Sequence, residues 1–379
     1  MNFASKYPYL TALLFLFLCL FGPFFVYYYE EVGEFLSVYS HLEHFSKPSS
    51  RPLPPKENQE YIRVLAIEGG GIYGILPAHV ICYLEEKTGK PATELFDVMM
   101  GTSTGAILNV MLNIPNHEGA PKYTAKEALD LYNKEAVDIF YSPWYHRILT
   151  LNGLIGAKYK TKERYDLFRK YIGGLYFDSL INNVIVPAYD MKNKNPLLFR
   201  NWIAKDQESE NFSVVDLLMG AVSFPGFFPS VVLGSGSKEV ILTDGALFVN
   251  NPSLAALLLA MKMYPNKKYI LVSLGTGTPR ETKQDAISSQ IVNWGDLQWS
   301  TSLIQDVLNA DKKFNNLLIK TAVPFPVEHY LFTIERSSKN GGVDNVTSWN
   351  ISRLNKEGER MVSSHLEELD DLIPKLLNP

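Results

Sequence analysis

Apolar and polar positions recur along this chain in two different periods, and the switches between them mark its elements. Arg63 to Ile67 is a short apolar run that enters Gly69, Gly70 and Gly71, which reads as a buried strand ending in a glycine turn. Ile75 to Thr88 reads as a helix, with Pro77 tolerated in its first turn and Gly89 as its stop. Asp97 to Met100 reads as a second buried strand, and Thr104 to Leu112 is apolar enough to be a helix buried on most sides. Thr124 to Phe140 is a clearer helix: Thr124 and Glu127 make a capping box, and Ala128, Leu131, Tyr132, Ala136 and Ile139 share a face. Val184–Ala188, Glu239–Leu242 and Tyr269–Leu274 read as strands, and Val214–Val222 and Pro252–Met263 as helices. Strands alternating with helices predict an α/β layered fold with a mostly parallel central sheet. After about residue 280 the pattern turns largely helical, a helical C-terminal extension. There Leu303, Ile304, Val307, Leu308, Phe314, Leu317 and Leu318 form a stripe expected to face the core rather than a membrane.

The N-terminus departs from this pattern. Leu10 to Tyr29 carries no charged side chain, and its twenty residues, at about 1.5 Å each, span roughly the 30 Å of a bilayer core. Pro23 is tolerable in a membrane helix, and Tyr27, Tyr28 and Tyr29 sit where interfacial aromatics belong. Residues 1–30 are therefore expected to be a single-pass transmembrane helix. The alternative is a cleaved signal peptide and a secreted protein; the run is longer than the usual signal core, and no small-x-small site follows it. Lys6 precedes the run, Glu30, Glu31 and Glu34 follow it, and the next cation is Lys47, which favours the bulk of the chain on the non-cytoplasmic side. Lys47 to Lys56 is proline-rich, so 31–60 reads as a linker, 61–280 as the α/β domain and 281–379 as a mostly helical part packed on it.

Composition narrows the function. With 46% hydrophobic residues in 379, the chain has enough apolar material for a sizeable core. Lys plus Arg number 36 and Asp plus Glu 40, so no general basic field exists to hold nucleic acid. There are two cysteines, Cys19 in the apolar run and Cys82 in a predicted helix, which excludes a cysteine metal cluster and argues against a disulfide.

Three short motifs carry candidate chemistry. Gly101-Thr102-Ser103-Thr104-Gly105 fits a nucleophile elbow: a sharp strand-to-helix turn lifts the serine hydroxyl clear, and Gly101 and Gly105 give the turn room. Gly69-Gly70-Gly71-Ile72-Tyr73-Gly74 lies between a strand and a helix, where backbone N–H groups converge into an anion site suited to a tetrahedral oxyanion. The same six residues match a dinucleotide fingerprint, but a serine elbow stands where a ribose-binding acid is wanted. Thr243-Asp244-Gly245-Ala246 puts an aspartate at the end of a strand, a position for catalysis and equally for an ordinary turn.

Taken in order, these motifs resemble the patatin-like phospholipase family, over roughly residues 63–280. Val186-Pro187-Ala188-Tyr189-Asp190, Ala221-Val222-Ser223-Phe224-Pro225, Asn250-Asn251-Pro252 and Ser273-Leu274-Gly275-Thr276-Gly277 add to the likeness. The resemblance implies a sheet with helices on both faces and a lipid acyl hydrolase that cleaves phospholipid or glycerolipid esters through an acyl-serine. Ser103 would be the nucleophile, Asp244 its base, and the backbone of Gly69, Gly70 and Gly71 the oxyanion hole. Gly74, Gly101, Gly105, Gly245 and Ala246 would support them, with no metal or other cofactor and a membrane lipid as substrate. The chain departs from the family at Glu68, where Asp is usual, at Tyr73, where Arg or Lys is frequent, and around Phe224 and Gly226; the lost cation bears on head-group preference. Three other readings stay open: an α/β-hydrolase triad using His329 or His365, a membrane-anchored lipid-binding module without turnover, and a dinucleotide oxidoreductase.

Overall fold

Seven consecutive strand residues, Tyr61–Ile67, set the architecture, because their side chains alternate into two different cores. Leu65 and Ile67 face one apolar cluster; Ile62, Val64 and Ala66 face the other. A sheet covered on both faces needs such continuous apolar strands. The computed structural model describes residues 52–55, 59–204, 211–234, 239–280, 296–323 and 327–378. The expected N-terminal membrane helix lies outside them; among the described residues no helix is long and apolar enough to cross a membrane.

From β1 (Tyr61–Ile67) the chain runs through α1 (Ile75–Thr88), β2 (Val98–Gly101), α2 (Thr104–Asn113), α3 (Ala125–Ile139), α4 (Trp144–Leu149) and α5 (Lys162–Ile172). It continues with β3 (Asn183–Asp190), β4 (Asn195–Arg200), α6 (Val214–Ala221), β5 (Val231–Leu233), β6 (Val240–Asp244), α7 (Ser253–Met263), β7 (Lys268–Leu274) and β8 (Thr278–Pro279). Last come α8 (Asp296–Thr321), β9 (Val327–Phe332), β10 (Glu335–Arg336), α9 (Ser348–Ser363) and α10 (Leu366–Leu377). The main sheet has the order β5-β6-β3-β2-β1-β7-β9, with β4 also on β3. Neighbours from β3 to β9 are parallel, while β4, β5 and β6 are antiparallel additions, so the sheet is mostly parallel, as expected. The capping box forms: Thr124 accepts from Glu127 N, and Glu127 reaches back to the Thr124 backbone.

The segment after residue 280 differs from its sequence reading in two respects, the strands it contributes and the face its first helix buries. Val327–Phe332 adds β9 to the sheet, parallel to β7 from Tyr269↔Val327 to Leu274↔Phe332. The α8 stripe does not face the core: Leu303, Ile304, Val307, Phe314 and Leu317 are exposed. This helix rests on α7 through a different face, where Lys312 and Ile319 turn inward. Arg63 ties the C-terminal end to the sheet, pairing with Asp97 at 2.9 Å and donating from Nη1 to Leu376 O at 2.6 Å.

Candidate active site

Ser103 stands in the turn from β2 to α2 with φ 53° and ψ −118°, a conformation that costs a non-glycine residue about 1–3 kcal/mol. Its surroundings hold it there. Thr102 N donates to Ile67 O at 3.1 Å, Thr102 Oγ1 to Val249 O at 2.6 Å, and Gly105 N to Thr102 O at 2.8 Å. A Cβ on Gly101 would strike the Gly105 carbonyl, and one on Gly105 would strike the Ile67 carbonyl. The two glycines are needed because strand and helix meet without space for a side chain.

The glycine loop lies against this elbow, since a Cβ on Gly69 would come within 3.5 Å of Ser103 Cβ. Its donors are not equivalent. Gly69 N donates to Asn250 O at 3.0 Å and Ile72 N to Val343 O at 2.8 Å. The N–H groups of Gly70 and Gly71 make no hydrogen bond among the described residues. Gly74 is buried where α1 begins, and a Cβ there would strike Thr104 Oγ1.

Asp244 reaches the site from another strand. Met100 on β2 is paired with Ile185 on β3, and Ala188, three residues further, is paired with Asp244. The aspartate therefore lies one strand beyond β3 at the level of the serine turn. It is fully buried. Burial pushes its pKa up from 3.8 to about 6, against the Ser103 hydroxyl, the Ala246 N–H and the Arg164 charge, which all favour the carboxylate. Oδ1 accepts from Ala246 N at 2.9 Å. Oδ2 has no further hydrogen-bond partner among the described residues, and the Ser103 hydroxyl lies close enough to favour its charged form. Gly245 keeps the turn close to β3, where a Cβ would lie 2.6 Å from Pro187 O.

Three basic residues around this centre have no sequence motif of their own. Arg164 on α5 is fully buried; it donates to Val222 O at 3.2 Å and Ser223 Oγ at 3.1 Å, and its guanidinium lies 3.9 Å from the Phe228 ring centroid. Lys312 on α8 pairs with Glu68 at 2.9 Å and donates to Thr276 Oγ1 at 2.9 Å, while Thr276 N donates to Glu68 at 3.2 Å. Glu68 is thus the anchor of a buried network behind the glycine loop. Arg336 on β10 lies over the Tyr73 ring.

A cavity of about 410 Å³ joins the glycine loop, the elbow serine and two of the basic residues; its lining includes Gly70, Gly71, Ser103, Ala246, Lys312 and Arg336, but not the buried Asp244 and Arg164. Phe140, Phe227, Phe228, Ile304 and Leu308 give it apolar walls. None of the described histidines lines it. His329 is bound to Ser273 Oγ at 2.9 Å and His365 to Met361 O at 2.8 Å. Burial lowers the His329 pKa to about 4.

A family model described as Patatin-like phospholipase matches residues 65–267. Patatin-like protein 2 of Oryza sativa subsp. indica is 27% identical over 366 residues, covering 86% of this chain and 89% of its own length. Patatin-like protein 1 of Arabidopsis thaliana is 27% identical, covering 85% and 86%. A protein named probable inactive patatin-3-Kuras 1, from Solanum tuberosum, is 24% identical, covering 82% and 88%. Among solved structures, VipD from Legionella pneumophila aligns at TM-score 0.36 and 12% identity, over 85% of this chain and 72% of that one.

Proposed function

Because the chain belongs to the patatin-like phospholipase family, we propose that it is a lipid acyl hydrolase in which Ser103 attacks the ester and Asp244 takes its proton. The observation that carries this reading is the placement of Ser103 on a strained elbow beside a buried carboxyl whose pKa is raised to about 6. A free aspartate is too weak a base for a hydroxyl, whereas one tuned towards neutrality is still ionised at pH 7 and binds a proton more readily. Rotation of the hydroxyl towards the unpartnered Oδ2 would form the hydrogen bond along which the proton moves. The oxyanion of the tetrahedral intermediate would be held by the Gly70 and Gly71 N–H groups, since that of Gly69 is committed to Asn250. The acyl-serine would then be hydrolysed by water. That none of the described histidines lines the cavity favours the dyad over a triad.

The lipid part of the reading is supported by the rim of the cavity. Asn152 and Gly153 of one segment and Ile304 and Leu308 of another line it. Beside the first pair, Trp144, Ile148, Leu154 and Ile155 are exposed; beside the second, Leu303, Val307 and Phe314 are. Large exposed apolar groups around a cavity mouth mark an interaction surface, and a lipid interface is the partner a lipid hydrolase must meet. The Leu10–Tyr29 run would add a permanent anchor; recovery of a mature N-terminus beyond Tyr29 would replace the anchor with secretion.

The test is acyl release over phospholipids, lysophospholipids and neutral glycerides, together with labelling by a fluorophosphonate. Ser103→Ala and Asp244→Asn should each abolish turnover in a folded protein, and the label should map to Ser103. A folded histidine variant that loses both labelling and turnover would replace the dyad with a triad.

A further inference from the structure

We propose that Tyr73 and Arg336 form a subsite for the phosphodiester of a glycerophospholipid whose acyl ester lies at Ser103, a proposal that rests on the hydrolase reading above. Arg336 is only 6% exposed, yet it lines the same cavity as Ser103. Its guanidinium carbon lies 3.5 Å from the centroid of the Tyr73 ring. The ring is fixed in turn, because Tyr73 OH donates to Gly341 O. Among the described residues Arg336 has no carboxylate within ion-pair distance, and its buried Nε makes no hydrogen bond.

The other cations of the cavity are already neutralised. Lys158 pairs with Asp344 at 2.5 Å and Lys312 with Glu68 at 2.9 Å. The carboxylates that act on Arg336, Glu357 and Glu68, do so from beyond ion-pair distance. Glu357 accepts from Ser337 N at 2.9 Å and from Asn340 Nδ2 at 2.6 Å, and Glu68 holds Lys312. Among the described residues that line the cavity, Arg336 is therefore the cation without an ion-pair partner for an entering anion to meet. A buried guanidinium without a counter-ion is unfavourable, and an oxyanion presenting two oxygens to its planar edge relieves that cost.

The position suits a head group. Tyr73 lies two residues past the glycine loop, and Arg336 brings a cation onto its ring from the other end of the chain. Its path is prepared: Gly277 has φ +73°, and a Cβ there would lie 2.6 Å from Arg336 Cγ. In a phospholipid the anion close to the scissile ester is the phosphodiester. In a neutral glyceride there is none, and in a free fatty acid the carboxylate is the reacting group itself.

The experiment compares kcat/KM of the full chain on a phosphatidylcholine and on the diacylglycerol with the same acyl chains, both in mixed micelles. R336Q should lower the phospholipid-to-diacylglycerol ratio by about tenfold or more, and R336K should restore part of it because the charge returns without the planar edge. An unchanged ratio, with both activities falling together, would overturn the subsite and leave Arg336 a packing role. Should R336Q fail to fold, the wild-type protein gives the second arm: sn-glycerol 3-phosphate should inhibit hydrolysis of a short soluble ester competitively, at concentrations where glycerol does not. Equal inhibition by the two, or none, would likewise overturn the proposal. Inhibition by inorganic phosphate as strong as by glycerol phosphate would point to a free-anion site and overturn the head-group assignment. If wild type releases acyl chains from no substrate and is not labelled at Ser103, the hydrolase reading fails instead.

Discussion

Replacing Asp244 with asparagine should make the protein more stable as well as inactive, and only above mildly acid pH. Burial holds the Asp244 pKa at about 6 in the folded chain, against 3.8 for the ordinary carboxyl. Below about pH 4 both folded and unfolded states keep the proton, and the native state bears no charging cost. Between about pH 4 and 6 the unfolded chain gives up its proton first, so stability falls as pH rises; above about 6 the loss is complete. At 1.36 kcal/mol for each pH unit of displacement the loss is about 3 kcal/mol. Asparagine fills nearly the same volume, its amide oxygen can still accept from Ala246 N, and it carries no charge to desolvate. The difference in unfolding free energy between the two proteins should thus grow in favour of the variant by about 3 kcal/mol from pH 4 to pH 7, or about 4 °C in Tm for a chain of this size. Urea or thermal unfolding at several pH values measures it, and all other titrating groups cancel in the difference. A difference that stays constant with pH, or that moves the other way, would refute the raised pKa and with it the argument for Asp244 as a base.

Activity should follow the ionised fraction of the same carboxyl, so the acid limb of kcat/KM should centre near pH 6; Arg164→Gln should move that limb upward, because the Arg164 charge favours the carboxylate. A limb in the same place in folded Arg164→Gln would remove Arg164 from the site. Gly70→Val should lower turnover at least about a hundredfold while leaving lipid binding within a fewfold, since its Cβ would lie 2.6 Å from Thr276 Oγ1 and displace the loop donors; near-normal turnover in a folded variant would mean the loop is misassigned. Changing Trp144, Leu154 and Phe314 together to serine should weaken vesicle binding about tenfold or more and spare hydrolysis of a short soluble ester, as all three side chains are exposed; unchanged sedimentation with vesicles would show that the rim is not the lipid-facing surface.

What could be read from the sequence was local. An elbow serine needs glycines two residues to either side, a converging donor loop needs consecutive glycines, and the short continuous apolar runs around β1, β2, β3 and β7 announce a buried sheet. All of these signals lie within a few residues of the group they predict. What the sequence hid depends on contacts between distant segments. β9 is a six-residue strand whose apolar pattern is broken by Glu328 and His329, and it is recognisable only once β7 offers an edge. The α8 stripe has the period of a core helix, and nothing in its spacing says that the face carrying Lys312 would be the one to turn inward. Arg164 is one arginine in a charged helix, and its burial follows from the close approach of Val222, Ser223 and Phe228. The commitment of the Gly69 N–H to Asn250, 181 positions away, is equally invisible in one dimension.

The pKa of Asp244 is the outcome of two opposed environments, and each alone would defeat the proposed proton transfer. An exposed aspartate near 3.8 would be ionised at neutral pH but would hold a proton too weakly to draw it from a serine hydroxyl. A carboxyl buried with nothing but apolar neighbours would rise until it was protonated and could accept nothing. Here burial raises the value while the Ser103 hydroxyl, the Ala246 N–H and the buried Arg164 restrain it, and the balance falls near 6. Arg164 can serve in this way because it has no carboxylate within ion-pair distance among the described residues; its hydrogen bonds go to carbonyls and to a serine hydroxyl, which orient the guanidinium without cancelling its charge. The cost is carried by the scaffold: an uncompensated cation, a carboxylate with one unbonded oxygen and a serine at positive φ are held by a sheet whose central strands are buried on both faces.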